Sequence, residues 1–238
     1  MERNAIIRFS HIDGASIVFY PRYFEILGEL FEELPFASPP FAMQTKFLKP
    51  NYLADELSVT CTSGDDWNFT GRMQGNDHFI IESLAGGGLD NAAHRPTKPA
   101  FQADPMRLAA WTTDCTGCLQ VSRFYELLNA AVEQWFPRAL DMTFRELHTV
   151  LGGGIPTVAM QTRCRELPRA GETIAIWIRP TGIGNKSLQY TCWLVRDDEC
   201  LLENVQTIVF VKRDGRDFET IPIPDKIRTR LQEQYVAP

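Results

Sequence analysis

Basic charge is scarce in this chain. Its 238 residues include 24 Lys and Arg against 30 Asp and Glu, a formal net charge of −6. Non-specific nucleic-acid binding needs a basic surface, so this balance argues against a nucleic-acid partner. Long apolar runs are also missing. No stretch approaches the ~20 apolar residues that a membrane-spanning helix requires, so no membrane partner is expected.

Cysteines are few, and the N-terminus lacks the apolar segment of a secretion signal. Residues 1–8 read Met-Glu-Arg-Asn-Ala-Ile-Ile-Arg, with no apolar run of signal-peptide length. Six cysteines in a chain of this size, without such a signal, are typical of reduced thiols. We therefore expect a cytoplasmic protein.

The chain does contain an internal repeat. The run from Phe9 to Glu25 holds a polar turn centred on Asp13, a short apolar stretch and a helix that begins at Pro21. The same arrangement returns 101 residues later without a gap. Asp13 matches Asp114, Arg22 matches Arg123, Glu25 matches Glu126, Leu27 matches Leu128 and Glu32 matches Glu133. The sequence therefore predicts a tandem duplication, in which a carboxylate precedes a helix in each copy.

Helical and strand-like spacings follow the same order in both copies. Apolar residues from Tyr23 to Leu34 recur at helical intervals, with glutamates on the other face, and residues 121–135 repeat the pattern. Strands are predicted at 5–9, 41–48, 56–62, 67–73, 78–83, 188–196 and 199–212, and short helices at 142–151 and after Pro224. The order predicts an α+β fold, with one helix of about four turns against about five antiparallel strands in each copy.

The repeat divides the chain near residue 100. Copy one is expected to span residues 1–100, including a linker that contains Gly86-Gly87-Gly88, and copy two residues 101–238. Copy two carries an insertion of about 16 residues between Pro137 and Pro156, beyond the simple repeat. Later segments are also matched: Met43–Lys46 with Met160–Arg163, Ala54-Asp55-Glu56 with Ala170-Gly171-Glu172, and Glu82 with Glu203.

The repeated run resembles a family signature. Asp13-Gly-Ala-Ser-Ile-Val-Phe-Tyr-Pro-Arg-Tyr-Phe is similar to the Asp-Pro-Ala-Gly-Ile-Val-[aromatic]-Tyr-Pro-x-Tyr signature of the 4-hydroxybenzoyl-CoA thioesterase family, which has the hotdog fold. Asp114-Cys-Thr-Gly-Cys-Leu-Gln-Val resembles that family's Asp-x-x-Gly-His-Val-Asn-Asn variant, and Arg163–Gly171 and Gln206–Pro224 resemble its later patterns. The resemblance implies a double hotdog, with two long helices each wrapped by an antiparallel sheet. A pseudo-twofold axis would relate the copies within the chain, and a homo-oligomer is an option.

The sequence departs from the signature at four positions. Gly14 and Ser16 replace its Pro and Gly in copy one, and Cys118 and Gln120 replace the His and first Asn in copy two. The Gly86–Gly88 run stands where the family's final strand would pair, so copy one is expected to lack that strand.

The resemblance implies hydrolysis of an acyl thioester of coenzyme A or of an acyl carrier, with the acyl group left open. Asp13 and Asp114 would act as nucleophile or general base, and the backbone N–H groups of Tyr20 and Val121 would hold the oxyanion. A helix N-terminus suits this role because its first N–H groups lack partners. In the plainer alternative, both aspartates only close turns. Copy one matches the signature more closely, so we expect Asp13 to be the principal carboxylate and Asp114 secondary.

The phosphates of coenzyme A require local cations despite the acidic total. The candidates are Arg22, Arg123, Lys46, Lys49, Arg163, Arg165 and Arg169, although a solvated strand face is an equal alternative for each. Cys115-x-x-Cys118 has the spacing of a redox or zinc motif, but no second pair accompanies it. We expect neither a metal nor a cofactor.

Two rival functions remain open. One is a hotdog hydratase or dehydratase, which the absence of a Gly-Asp-x-Asn-Pro-x-His run disfavours. The other is a non-catalytic module that binds acyl thioesters, which the altered residues beside both aspartates make credible.

Overall fold

A computed structural model describes residues 1–36, 38–64, 66–84, 89, 99–215 and 217–234. Copy one contains β1 (Glu2–Ile6), α1 (Pro21–Leu30), β2 (Phe41–Phe47), β3 (Glu56–Thr62), β4 (Asn68–Met73) and β5 (Asn76–Ser83). Copy two contains β6 (Phe101–Gln102), β7 (Met106–Arg107), α2 (Val121–Leu140), α3 (Phe144–Leu151), β8 (Gly153–Gly154), β9 (Thr157–Cys164), β10 (Thr173–Ile183), β11 (Ser187–Arg196), β12 (Glu199–Val209), β13 (Val211–Asp214), β14 (Asp217–Thr220) and α4 (Asp225–Gln234).

One antiparallel sheet runs through both copies. Its strand order is β1-β3-β4-β5-β2-β9-β12-β11-β10-β6, with β7 also paired to β10. The central neighbours β2 and β9 come from different copies, and Gln44 lies opposite Gln161. The order on either side of this pair is the same, so a pseudo-twofold axis passes close to it. The expected α+β architecture of two helices wrapped by antiparallel strands is confirmed.

The side-chain alternation of the central strands explains why the helices lie on one face of the sheet. In β2, Met43 and Thr45 are buried, whereas Gln44 and Lys46 are partly exposed. Successive side chains of a strand point to opposite faces, so the odd-numbered positions face the helices. The helices supply matching apolar faces, including the fully buried Leu27, Phe124 and Leu128.

Helix α1 begins where the sequence predicts and ends earlier. Pro21 occupies its first helical position, where a missing N–H costs nothing. The sequence pattern predicted a helix as far as Leu34, but Phe31 is already extended (φ −130°, ψ 127°). Phe31 remains buried. The helical spacing of apolar residues therefore extends beyond the last residue of the helix.

Two predicted strands have different bounds. The first strand covers Glu2–Ile6 rather than residues 5–9, because Phe9–His11 form a 3₁₀ turn. The last predicted strand, at 199–212, is divided into β12 and β13 at Phe210, whose side chain is fully buried.

The expected loss of the family's final strand in copy one stays a prediction. β5 pairs with β2 as β12 pairs with β9. The Gly86–Gly88 run, on which the expectation depended, lies outside the described residues. The boundary between copies at residue 100 stays a prediction, because residues 90–98 are also outside the described part.

The expected match of Glu56 with Glu172 is wrong by one residue. A side-chain oxygen of Asp55 accepts a hydrogen bond from the N–H three residues earlier, at 2.8 Å, and Glu172 makes the same bond at 2.9 Å. Asp55 is therefore the structural equivalent of Glu172. The sequence match paired Glu56 with Glu172 because both are glutamates, whereas the hydrogen bond of the turn is made by Asp55 in copy one.

The expected match of Glu82 with Glu203 is wrong by two residues. Glu82 lies opposite Gln44, and Val205 lies opposite Gln161. Since the two glutamines are equivalent about the axis, Val205 is the counterpart of Glu82.

Copy two carries additions that copy one lacks in its described part. Helix α2 has 20 residues against 10 in α1, and α3 follows it. The predicted short helix at 142–151 is confirmed as α3, which starts with reciprocal bonds between Thr143 and Glu146 and stops at the left-handed Gly152. A small sheet of order β14-β13-β8 is a further addition, and its strand β8 follows α3 directly in sequence. Within the described ranges, no helix is both long and apolar enough to cross a membrane.

Four charged side chains join α1 to α2. Arg22 Nη1 lies 2.6 Å from a carboxylate oxygen of Glu25 and 2.6 Å from one of Glu126. Arg123 contacts the same two residues, at 3.3 Å from Glu25 and 2.8 Å from Glu126. All four side chains are at most 28% exposed. We call this set the helix quartet; each of its charges has two partners of opposite sign.

Replacing Glu25 with Gln should destabilise the protein, because two guanidinium groups then share one carboxylate in a partly buried site. We expect urea unfolding at low salt to show a loss of about 1–2 kcal/mol in the free energy of unfolding. Glu29→Gln on the same helix is the control, because its pair with Arg8 is 49% and 65% exposed. It should lose less than about 0.5 kcal/mol. Equal losses in the two variants would contradict the role of the helix quartet.

Candidate active site

The two aspartate loops have the same hydrogen bonds. Asp13 Oδ1 accepts from the N–H groups of Ala15 at 2.8 Å and Ile17 at 3.4 Å. Asp114 Oδ1 accepts from the residues two and four positions later, at 2.8 and 3.1 Å. These bonds show that each aspartate closes its own turn, as in the plainer alternative. They occupy one oxygen of each carboxylate.

A left-handed residue completes each loop. Gly117 has φ 79°, and its counterpart Ser16 has φ 64°. Glycine adopts this conformation without steric cost, which explains the glycine of the family signature at this position. Copy one retains the turn despite the substitution by serine.

Each loop leads directly to a helix N-terminus. Tyr20 is the N-cap of α1, and Val121 is the first residue of α2. The N–H groups of both residues have no acceptor within their helices, because the first turn lacks preceding carbonyls. The preceding residues are fixed equivalently, since Phe19 N–H donates to His11 O at 2.9 Å and Gln120 N–H donates to Thr112 O at 3.1 Å. The structure thus brings carboxylate and helix start together in both copies, while the catalytic roles of these four sequence-predicted groups stay predictions.

A pocket of about 520 Å³ lies beside Asp114. Copy two supplies the carboxylate, the helix start and part of the wall, and α1 of copy one supplies the opposite wall. The lining residues are Phe24, Glu25, Gly28, Glu29, Leu34, Phe36, Asp114, Leu119, Gln120, Val121, Ser122 and Leu167. Both copies contribute apolar and polar side chains to this lining, and such a mixture is compatible with a small-molecule site.

The two carboxylates have opposite pKa shifts. Burial is the largest influence on Asp13 and raises its pKa above the usual value, while hydrogen bonds from Ala15 and Ile17 act against it. Burial also acts to raise the pKa of Asp114, but the hydrogen bonds of its loop together outweigh it, and the pKa of Asp114 is lowered. Asp114 is therefore readily ionised, whereas ionisation of Asp13 is opposed by its surroundings.

Copy-two additions pack around the Asp13 loop. Arg213 in β13 donates from Nη1 to Ala15 O at 3.0 Å. His148 in α3 interacts electrostatically with Asp13, and burial lowers the pKa of His148. The His148 Nε2 atom is buried and has no hydrogen-bond partner among the described residues. No sequence motif surrounds His148, and the insertion that carries it has no counterpart in copy one. Its proximity to Asp13 depends on the fold.

Two of the expected phosphate ligands have other partners. Arg22 and Arg123 belong to the helix quartet, where each already contacts two carboxylates. Their charge is balanced, so this geometry speaks against a phosphate role for either.

Four more of the expected cations make no hydrogen bond or ion pair with either aspartate loop within the described residues. Lys46 and Arg163 are on strand positions that face away from the helices. Lys46 pairs with Glu82 at 3.5 Å, Lys49 donates to Asn76 at 2.9 Å, and Arg165 pairs with Glu199 at 3.1 Å.

Arg169 is different, because it touches the Asp114 loop. Its Nη1 donates to Thr116 O at 3.1 Å, two residues after the aspartate. Cys115 and Cys118 in the same loop are free thiols. Arg169 is thus an expected phosphate ligand that hydrogen-bonds to the loop of a candidate carboxylate.

No family model matches the chain, and no curated protein matches it in sequence. Solved structures are similar to it in fold. A Lactobacillus plantarum protein named as an oleoyl thioesterase is 10% identical, with a TM-score of 0.64 over 93% of this chain and 96% of that one. The chain has a double hotdog fold. An acyl-ACP thioesterase from Bacteroides thetaiotaomicron is 9% identical, with a TM-score of 0.57 over 87% and 97% of the two chains.

A shorter structure matches part of the protein. A thioesterase-superfamily protein from Jannaschia sp. is 18% identical, with a TM-score of 0.54 over 61% of this chain and 99% of that one. At such identities the likeness establishes the hotdog fold alone. The two near-complete matches indicate that both hotdog copies belong to one architecture.

The opposite pKa shifts predict opposite pH effects on stability. The lowered pKa of Asp114 means that its ionised form stabilises the folded protein above the unfolded-state pKa, and that this contribution is lost as pH falls through the folded-state value. Asp114→Asn should therefore be less stable than wild type at pH 7, by about 0.5 kcal/mol given the exposure of the group. The difference should be smaller at pH ~3, where an aspartate of ordinary pKa is mostly protonated.

Asp13→Asn is the matched comparison. The raised pKa of Asp13 means that its neutral form is favoured on folding, and that this contribution is lost as pH rises through the folded-state pKa. Asp13→Asn should thus gain stability relative to wild type between acid and neutral pH. Urea unfolding of both variants at the two pH values checks this, and parallel pH dependences in the two variants would refute it.

Proposed function

We propose that the protein hydrolyses an acyl-CoA thioester in the pocket between α1 and the start of α2, with Asp114 as the active carboxylate. The observation that carries the proposal is the pocket itself, which joins a carboxylate, a helix N-terminus and an apolar wall. The names of the similar structures, an oleoyl thioesterase and an acyl-ACP thioesterase, support the same class of reaction. We also propose that the protein is a tandem member of the 4-hydroxybenzoyl-CoA thioesterase-like family, with its two copies at residues 1–100 and 101–238.

The reaction needs a base and an oxyanion donor. One oxygen of Asp114 is held by its loop, and the other accepts a proton from water as the water oxygen bonds to the thioester carbon. The Val121 N–H donates to the oxyanion that forms. When the carbonyl reforms, the C–S bond breaks and the thiolate takes the proton from Asp114, releasing a carboxylic acid and the thiol. The position of Asp114 also suits direct attack of its carboxylate on the thioester carbon, which would form a mixed anhydride that water then hydrolyses.

The proposal reverses the order expected from sequence, where Asp13 ranked first. Asp114 borders an open pocket and is readily ionised, both of which suit a base that must accept a proton from water. The Asp13 loop is instead contacted by Arg213 and His148 from copy two.

The pocket walls favour a neutral, apolar acyl group. Five of the side chains that line it are large and apolar, namely Phe24, Leu34, Phe36, Leu119 and Leu167. Glu29 and Asp114 also border the pocket, so an anionic acyl group would meet charge of the same sign. We propose an aliphatic or aromatic acyl group without charge.

Arg169 is proposed to contact the phosphates of coenzyme A. It lies beside the Asp114 loop, and a guanidinium binds phosphate through charge-assisted hydrogen bonds. The non-catalytic binding module is the remaining alternative, because the His and Asn of the family variant are replaced by Cys118 and Gln120.

Replacing Asp114 with Asn should abolish most of the activity, because the amide cannot accept a proton. We expect a fall in kcat of about 100-fold or more, measured as thiol release from aromatic, short-chain and long-chain acyl-CoA esters. Asp13→Asn is the control and should change kcat by less than about 3-fold. The opposite pattern would return the catalytic role to Asp13. Binding of acyl-CoA without thiol release by wild type would establish the binding module instead.

Replacing Arg169 with Ala should weaken substrate binding without slowing the chemistry. We expect KM for acyl-CoA to rise about 10-fold at unchanged kcat, as for the loss of one charge-assisted contact. The dependence of KM on salt should also become weaker. Lys46→Ala, on the opposite face of the sheet, is the control and should leave KM as in wild type. An Arg169→Ala enzyme with normal KM and salt dependence would remove the assignment.

A further inference from the structure

A glycine lies inside helix α1, where it weakens the helix. Gly28 is followed by two further residues of the helix, which ends at Leu30. Within a helix glycine is less favourable than alanine, because it loses more backbone freedom on folding. The φ angle of Gly28 is outside the left-handed region, so other residues could adopt the same backbone. The backbone conformation therefore gives no reason for glycine at this position.

The packing of the protein gives no reason for it either. Outside the helix backbone, a Cβ added at Gly28 would have Leu34 Cδ1 as its nearest described neighbour, at 3.9 Å, which is an ordinary van der Waals distance. The matching position of α2, at a spacing of 101 residues, is occupied by Asn129. The side chain of Asn129 bonds to Glu133 at 2.7 Å. The hotdog helix thus tolerates a side chain at this point.

Gly28 lines the pocket beside Asp114. Phe24, one helical turn earlier on the same face, lines it as well, and so do Leu34 and Phe36 after the helix has ended. Glycine is favoured where a backbone and a ligand approach closely, because no Cβ stands between them. Burial of polar groups against an apolar wall is costly, so this part of the pocket suits hydrocarbon better than the amides and phosphates of coenzyme A.

We infer that the acyl chain of the substrate passes over Gly28 in contact with the α1 backbone, which makes Gly28 a specificity-determining residue for long acyl chains. This inference rests on the proposed function for the identity of the ligand. The missing side chain leaves space along the wall that contains Phe24 and Leu34, and it lowers the stability of the helix. Stability and binding of a long chain therefore make opposite demands on this one position.

The test measures stability and ligand affinity in the same variants. Gly28→Ala should raise the Tm by about 2 °C, because alanine favours the helix and meets no clash. The ligand probes are S-ethyl and S-octyl coenzyme A, two thioethers that cannot be hydrolysed, titrated by calorimetry into folded protein. Gly28→Ala should bind the octyl compound about 4-fold more weakly, which is the effect of one methylene group losing apolar contact. Binding of the ethyl compound should be unchanged, because its chain ends near the thioester position.

Replacing Gly28 with Leu separates the effect of space from that of apolar character. A leucine adds apolar surface to the wall, which alone would favour an octyl chain, but it fills the space that the chain needs. Binding of the octyl compound should fall about 10-fold or more, as expected when two methylene groups lose apolar contact. Thr229→Leu is the matched control, because it adds a leucine at an exposed position of α4 outside the pocket lining. It should bind both compounds as wild type does.

Wild-type affinity of Gly28→Leu for the octyl compound would overturn the inference. Equal losses of ethyl and octyl binding would do so as well, because another part of the ligand would then lie over Gly28. A lower Tm in Gly28→Ala would show that the fold itself requires glycine, and a wild type that binds the octyl compound no more tightly than the ethyl compound would remove the acyl chain from the pocket. If Gly28→Leu does not fold, as judged by circular dichroism, the two measurements on Gly28→Ala decide the matter.

The proposed hydrolysis fails or stands separately, because binding is measured without turnover. Loss of octyl binding in Gly28→Leu, in a protein whose wild type releases no thiol from acyl-CoA esters, would refute the hydrolysis and support the inference. Thiol release by wild type, with the same preference for chain length in Gly28→Leu, would refute the inference alone.

Discussion

The antiparallel pairing of β2 with β9 is the interaction on which the rest of the structure depends. It joins the two copies in one sheet, and it sets Gln44 opposite Gln161 close to the pseudo-twofold axis. A slip of one residue would turn Met43 and Thr45 from the helix side to the outer side, so the buried face fixes the register. That register brings α1 against α2, where the helix quartet joins them, and it sets the aspartate loop of each copy beside the helix of the other.

Much of the fold could be predicted from the sequence because its signals are local. Pro21 identifies the start of α1, and strand-like runs locate β2, β3, β4, β5 and β11 to within two residues, although β9 and β10 were not delimited. The errors arose where tertiary contacts override local pattern. Phe31 is buried although the helix has already ended, so the apolar spacing overran the helix. The turn at Asp55 shifted the alignment of copy one with copy two by one residue.

Tertiary contacts also limited how much of the candidate site could be predicted from sequence. The spacing of 101 residues located both aspartates and both helix starts, because the loop geometry is encoded by adjacent residues. The choice between the sites depends on contacts between distant residues. Arg213, for example, contacts Ala15 of the Asp13 loop across 198 positions. Signature similarity favoured Asp13, but it carried no information about the pocket beside Asp114.

The account is tested most directly by locating the bound acyl chain. A coenzyme A thioether with a photoreactive group at the end of an octyl chain can be crosslinked to the wild-type protein, and the labelled peptides identified by mass spectrometry. The account predicts attachment to the walls of the pocket beside Asp114, within residues 24–36 and 119–122. Attachment to the equivalent segment of α2, at residues 125–133, would contradict it.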